Sequence, residues 1–154
     1  MQIRKILVAV DFSDSAETAL DLAAKLATSM GGEVDLLHAW DVPPFLGPDA
    51  MIGYPATAQP LARHIAEQAR EQMDACIQRA KERGISVHGS FVLEGNIAHT
   101  ICEKAETGGY DLLVLGTRGR TGLSHLLLGS VAETVVRHSK IPVLTVRSPL
   151  PQKA

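Results

Sequence analysis

The chain has 154 residues, 45% hydrophobic and 21% charged, with a formal net charge of −2 at pH 7. That length supports one core-forming domain, and the composition is that of an ordered globular protein rather than a disordered one. The slightly acidic balance removes the electrostatic case for nucleic acid or an anionic membrane surface, and no apolar run nears the roughly 18 residues that span a bilayer.

Five strand-like runs alternate with four helix-like ones. Residues 5–10 read as a first strand. Residues 14–30 read as a helix, with Ala16, Ala19, Leu20, Ala23, Ala27 and Met30 at helical spacing and Gly31-Gly32 as its stop. A second strand spans 33–40. Residues 41–60 carry five prolines together with Phe45, Leu46, Met51, Ile52 and Tyr54, which are not expected all to face water. So long a connection suits either a lid or partner surface, or a loop folded onto its own domain; the sequence leaves both open.

A second helix covers 61–83, with Leu61, Ile65, Ala69, Met73, Cys76, Ile77 and Ala80 on one side. A third strand at 86–93 leads to a helix at 97–106 that ends at Gly108-Gly109. A fourth strand at 111–115 runs into a glycine-rich loop, a helix from Ser130 to about residue 138 follows, and a last strand covers 142–147. Apart from the third, the strands are nearly continuous Val, Ile, Leu and Ala, as in parallel strands covered on both faces. The alternation predicts right-handed crossovers and a doubly wound α/β sheet. Residues 1–148 read as a single domain and 149–154 as a short tail. Cys76 and Cys102 suit buried thiols in a reducing compartment, and the amino end enters a strand with no signal-peptide pattern, so a cytoplasmic location is expected.

The glycine-rich loop is the most informative stretch: Gly116-Thr117-Arg118-Gly119-Arg120-Thr121-Gly122, then Leu126-Leu127-Leu128-Gly129-Ser130. Ser130 and Glu133 have the spacing of a capping box. A helix start behind a glycine- and arginine-bearing loop is a ready phosphate site, because its first N–H groups have no partner inside the helix. Arg118 and Arg120 offer directional hydrogen bonds to phosphate, or are simply solvated. Gly116, Gly119, Gly122 and Gly129 taken singly would mean turn geometry or close helix packing; together with the arginines and the helix start they read as a phosphate cradle. Asp11, at the tip of the first strand, is either a turn or N-cap residue ahead of Ser13-Asp14, or an acceptor for ribose hydroxyls or an adenine amine, or a neighbour of a metal.

Several other sites are excluded. The chain has no Walker loop, no Gly-x-Gly-x-x-Gly and no Gly-x-Ser-x-Gly elbow. Its six histidines lack the short ligand spacings of zinc, and His38 and His88 read as sheet residues with satisfied hydrogen bonds. Nothing supplies an activated nucleophile with its base. The chemistry reads as binding.

Over nearly its whole length the sequence resembles the universal stress protein family. The resemblance rests on Ile6-Leu7-Val8-Ala9-Val10-Asp11-Phe12-Ser13 and on Gly116-x2-Gly119-x9-Gly129-Ser130, the pattern of the ATP-binding branch. It implies a Rossmann-like adenine-nucleotide-binding fold, a five-stranded parallel sheet ordered 3-2-1-4-5 with helices on both faces. It further implies that Asp11 and the main chain of Ala9 and Val10 hold the nucleoside half, with Ala39 against adenine. Leu115, Gly116, Gly119, Gly129 and Ser130 would surround ribose and phosphates, and Val131 and Ala132 would contribute helix N–H groups. Arg118 stands where many relatives have histidine. ATP is implied with Mg2+ or Mn2+, without assignable metal ligands beyond Asp11. A homodimer through the edge strand from Pro142 to Arg147 is also implied.

The expected function is an ATP-binding regulatory homodimer of the stress-response type, with at most slow ATP hydrolysis or self-phosphorylation (Thr121, Ser124 and Ser130 being nearest). The alternatives are an ATP-using hydrolase or phosphotransferase of the same fold group, for which His125 is the only nearby histidine, or an interaction module that binds no nucleotide.

Overall fold

A computed structural model of the chain describes residues 1–118 and 128–148. In chain order its main elements are β1 (Lys5–Ala9), α1 (Asp14–Met30), β2 (Glu33–Trp40), β3 (Met51–Ile52), β4 (Gln59–Pro60), α2 (Leu61–Glu82), β5 (Gly89–Glu94), α3 (Ile97–Thr107), β6 (Leu112–Gly116), α4 (Ser130–His138) and β7 (Val143–Val146). Five strands form one parallel sheet in the order β5-β2-β1-β6-β7. Counted along the chain without the small hairpin, that is the expected 3-2-1-4-5. β3 and β4 pair antiparallel as a separate hairpin.

The continuous apolar runs follow from burial on both faces. Ile6, Val8, Val34, Leu36 and Val114 face α1 and α2, while Leu7, Leu37, Ala39, Leu113 and Leu115 face α3 and α4. Ala16, Ala19 and Ala23 let α1 lie close on the sheet, and each is buried. Met30, expected with them, stands 43% exposed at the helix end, where Gly31 turns the chain at φ 66°. β1 ends one residue earlier than expected, although the Val10 N–H still donates to the Leu37 carbonyl at 2.8 Å. β5 begins at Gly89 rather than at residue 86. Among the described residues the five apolar side chains of 41–60 are all exposed, contrary to expectation, with Phe45 85% and Tyr54 84% accessible.

The amino-terminal edge of the sheet is closed by polar groups that the sequence did not advertise. Asp35 is buried within β2, and its carboxylate accepts from the Tyr110 hydroxyl at 2.6 Å and meets His88 Nδ1 at 2.9 Å. Gly89, its cross-strand neighbour, makes the room: a Cβ there would sit 3.0 Å from Asp35 Oδ1. Lys5 donates to the Gly108 carbonyl at 3.1 Å and lies 5.0 Å from the Tyr110 ring centroid, and Glu33 lies 3.5 Å from His88 Nε2. Burial alone would raise the Asp35 carboxyl, but the hydrogen bonds from Tyr110 and His88 hold it below the ordinary carboxylate value. The Asp35 hydrogen bond, with the charges of Glu33 and Asp35, raises His88 above the usual imidazole value.

At the opposite edge, β6 ends in Gly116 against the start of α1. A Cβ on Gly116 would lie 2.8 Å from the Ser15 carbonyl carbon, so only glycine lets strand and helix meet.

Two outcomes follow from these contacts. Because His88 is raised in the folded state, its share of stability is full below the unfolded imidazole pKa and disappears as pH climbs through the folded one. His88→Ala is therefore expected to lower the melting temperature at about pH 5.5 and to change it much less at about pH 9; an equal loss at both would remove the coupling. Gly116→Ala is expected to cost about 1–3 kcal/mol in denaturant unfolding, the scale of overpacking.

Candidate functional site

In open α/β sheets the ligand crevice lies beyond the carboxyl ends of the strands, where strand order reverses. Here that point falls between β1 and β6, since the chain steps from β1 to β2 on one side and returns to β6 on the other. Of the helices that begin at this edge, α1 and α4 follow the two strands of the switch point, and they differ in one respect that matters.

The start of α1 is closed. Ser13 is its N-cap, with Oγ accepting from the Ala16 N–H at 3.3 Å. Asp11 Oδ1 in turn accepts from the Ser13 N–H at 3.0 Å and from the Ser13 hydroxyl. Asp14 and Glu17 add negative charge to the first turn. This suits the helix dipole and disfavours an anion. Of the three readings open for Asp11, the geometry carries the turn residue through Oδ1.

The start of α4 is open. Its N-cap is Gly129, with φ −58° and no side-chain cap. The expected capping box does not form: Ser130 is the first helical residue rather than the cap, and Glu133 pairs with Arg137 at 3.0 Å instead. The helical ladder begins with the Glu133 N–H on the Gly129 carbonyl at 2.9 Å. The N–H groups of Ser130, Val131 and Ala132 therefore have no partner among the described residues. Gly129 needs no left-handed backbone. Its contribution is the missing side chain, which would otherwise occupy one of these donors.

One residue brings the parts together. The Thr117 carbonyl accepts from the Gly129 N–H at 2.8 Å, and the Thr117 N–H donates to the Val146 carbonyl at 2.9 Å. The loop that leaves β6 thus returns to its own root before α4 begins. Arg118 stands at that root, half-buried, with its N–H 3.4 Å from Ser15 Oγ and its carbonyl 3.4 Å from Ser13 Oγ. Gly119, Arg120, Thr121, Gly122, Ser124, His125, Leu126 and Leu127 lie outside the described residues.

Ala9 and Ala39 are buried near the ends of β1 and β2, and Leu115 is buried beside Gly116 on β6. Val10 has both main-chain groups engaged, its N–H on Leu37 and its carbonyl against His38 Nδ1 at 2.8 Å. His38 lies in β2 with its ring bonded, as expected; His88 has the expected hydrogen bond, to Asp35, but stands one residue before β5 rather than in the sheet. Phe12, unforeseen in the sequence, takes a left-handed φ of 64° and packs on the His38 ring at 4.5 Å. Nothing in a lone Phe announces such a conformation. Ser15 was also missed, although a buried serine two residues beyond a helix cap is a readable hint. Among the described residues no three His, Cys, Asp or Glu side chains are placed to hold a metal ion, and a divalent cation would need ligands from elsewhere. What the arrangement can do is bind an anion on the open helix start.

The sequence model of the Universal stress protein family matches residues 2–147. Universal stress protein MJ0531 of Methanocaldococcus jannaschii is 36% identical to this chain over 146 residues, covering 95% of this chain and 83% of its own length. Among solved structures, MJ0577 of the same organism superposes with a TM-score of 0.73 at 31% identity, covering 98% of this chain and all of that one. A universal stress protein in complex with cAMP superposes with a TM-score of 0.65 at 25% identity, covering 95% of this chain and 98% of that one. Strand order, the glycine-capped helix at the switch point and a family match running almost from end to end agree, and the chain belongs to the universal stress protein family.

Proposed function

We propose that the protein is a nucleotide-dependent regulator that binds ATP at the β1/β6 switch point and works as a homodimer. The observation that carries this reading is the open start of α4, three N–H groups without a partner among the described residues behind a glycine N-cap, beside a second helix start that is closed. The relative in complex with cAMP supports an adenine nucleotide as the ligand class.

In this reading Ser130, Val131 and Ala132 donate N–H groups to the phosphates, with Gly129 keeping the approach free of side chains. Gly116 and Leu115 floor the crevice, and Arg118 screens charge at its mouth. Ala9, Val10, Asp11 and Ala39 line the nucleoside half. Mg2+ or Mn2+ would arrive coordinated by the triphosphate and neutralise part of its charge. Hydrolysis is at most slow, and occupancy rather than turnover is the signal.

The dimer contact is the free edge of β7. Its even-numbered residues bond inward to β6, as the carbonyls of Pro142 and Val146 do, so Val143 and Thr145 direct their main-chain groups to the open side. Leu144 packs on the core and is no part of that edge.

The two halves are tested separately. Gly129→Asp adds an N-cap carboxylate that competes for the same donors and repels phosphate. It is expected to raise helix stability by a few tenths of a kcal/mol while abolishing ATP binding in calorimetry; undiminished affinity would displace the site. Thr145→Pro removes one outward N–H without touching the β6 ladder. It is expected to yield monomers in sedimentation, and a dimer of unchanged strength would place the interface elsewhere.

A further inference from the structure

Residues 41–60 leave β2 at the same carboxyl edge as the proposed crevice and form the most conspicuous uncovered apolar feature of the described chain. Phe45, Leu46, Met51, Ile52 and Tyr54 are all exposed. Their backbone is nonetheless ordered by its own bonds: a short 3-10 turn at Pro44–Leu46, the β3/β4 hairpin, the Thr57 N–H on the Tyr54 carbonyl at 2.8 Å, and the Leu61 N–H on the Ala50 carbonyl at 2.8 Å. An arm with a settled main chain and unsettled apolar side chains is preorganised to be covered by something.

The position of α2 tells where the arm stands. Arg79 and Arg83, in the last turns of α2 and at its C-cap, pair with Glu17 of the first turn of α1, each at 2.8 Å. Both helices follow strands of the same sheet on the same face and so run roughly side by side. Eighteen residues of α2 precede Arg79, about 27 Å of helix, so α2 begins about 20 Å beyond the start of α1. Its fully buried positions accordingly start only at Ala69. The first turns of α2, with the hairpin packed on them, overhang the carboxyl edge of the sheet. The arm's other root is Trp40, which is buried and bonded through its carbonyl to the Gly95 N–H at 2.9 Å. Trp40 directly follows Ala39, a residue of the nucleoside half.

The chemistry of the arm narrows the occupant. Residues 41–60 contain Asp41 and Asp49 and no lysine or arginine. Such a segment has nothing to offer phosphate or an anionic membrane, and its two aromatic rings suit a flat, uncharged π surface. Resting on the nucleotide reading above, we propose that the 41–60 arm is the base-recognising element of the site, with Phe45 and Tyr54 supplying an aromatic cover for the purine.

Phe45 and Tyr54 can be replaced at little cost to the fold because both are almost fully exposed. The test compares wild type with the double variant Phe45→Ser, Tyr54→Ser by calorimetry, using Mg-ATP, Mg-CTP and inorganic tripolyphosphate, with emission of the single Trp40 as a second readout. The expected result is an affinity for ATP lower by about tenfold, the scale of one base–aromatic stack, a smaller preference for ATP over CTP, and tripolyphosphate binding unchanged. Equal ATP affinity in the two proteins overturns the proposal, as does parallel weakening of ATP and tripolyphosphate. A smaller species in sedimentation with ATP affinity intact would make the arm a contact between copies and also overturn it. Wild type that binds tripolyphosphate but no adenylate refutes the base reading alone, whereas wild type that binds neither refutes the nucleotide site itself.

Discussion

The carboxyl end of β6 meets the first turn of α1 with no space for a side chain at Gly116, and the candidate site is assembled around that approach. Ser15 of the helix reaches toward both the Val146 carbonyl and the Arg118 N–H, each at 3.4 Å. Thr117 is held to β7 on one side and receives the first residue of the α4 entry on the other. A larger residue at 116 would push strand and helix apart. The loop root would then no longer deliver α4 to the switch point. Close packing at one glycine thus sets the geometry of a site several residues away.

The two edges of the sheet divide the labour of the molecule. At the amino-terminal edge Asp35, His88, Tyr110, Lys5 and Glu33 satisfy one another, and Asp111 accepts the N–H groups of Arg4 and Lys5 at 2.9 Å each. Polar groups there are spent on holding strand starts in register. At the carboxyl edge the donors at the start of α4 are left without partners among the described residues, and apolar side chains are left uncovered. Unsatisfied groups cost stability, so their concentration at one edge is the physical mark of a surface kept for something else.

The starts of α1 and α4 at that edge illustrate the same division at the scale of a single residue. Ser13 closes α1 with its own hydroxyl and has Asp11 behind it, while Gly129 closes nothing. A serine and a glycine in equivalent positions give one helix capped by its own side chain and one with no side-chain cap at its start.

Among the described residues, periodicity and breakers alone were enough to place the four α-helices and the five strands of the main sheet within a few residues. Helix starts and stops are local events, written in Gly31-Gly32 or Gly108-Gly109, and continuous Val and Leu runs admit little but a buried parallel strand. The glycine loop and Asp11 stood out as candidates by residue type and spacing, but residues 119–127 lie outside the described residues and Asp11 Oδ1 is engaged by Ser13. Tertiary structure decided what depends on neighbours distant in the chain. It made Gly129 rather than Ser130 the cap, turned Asp11 toward Ser13, gave Phe12 its left-handed backbone, and buried Asp35 among partners 53 and 75 positions away. It also left the aromatic rings of the 41–60 arm in the open, because α2 outruns the sheet it packs on, and no pattern within the arm itself encodes that overhang.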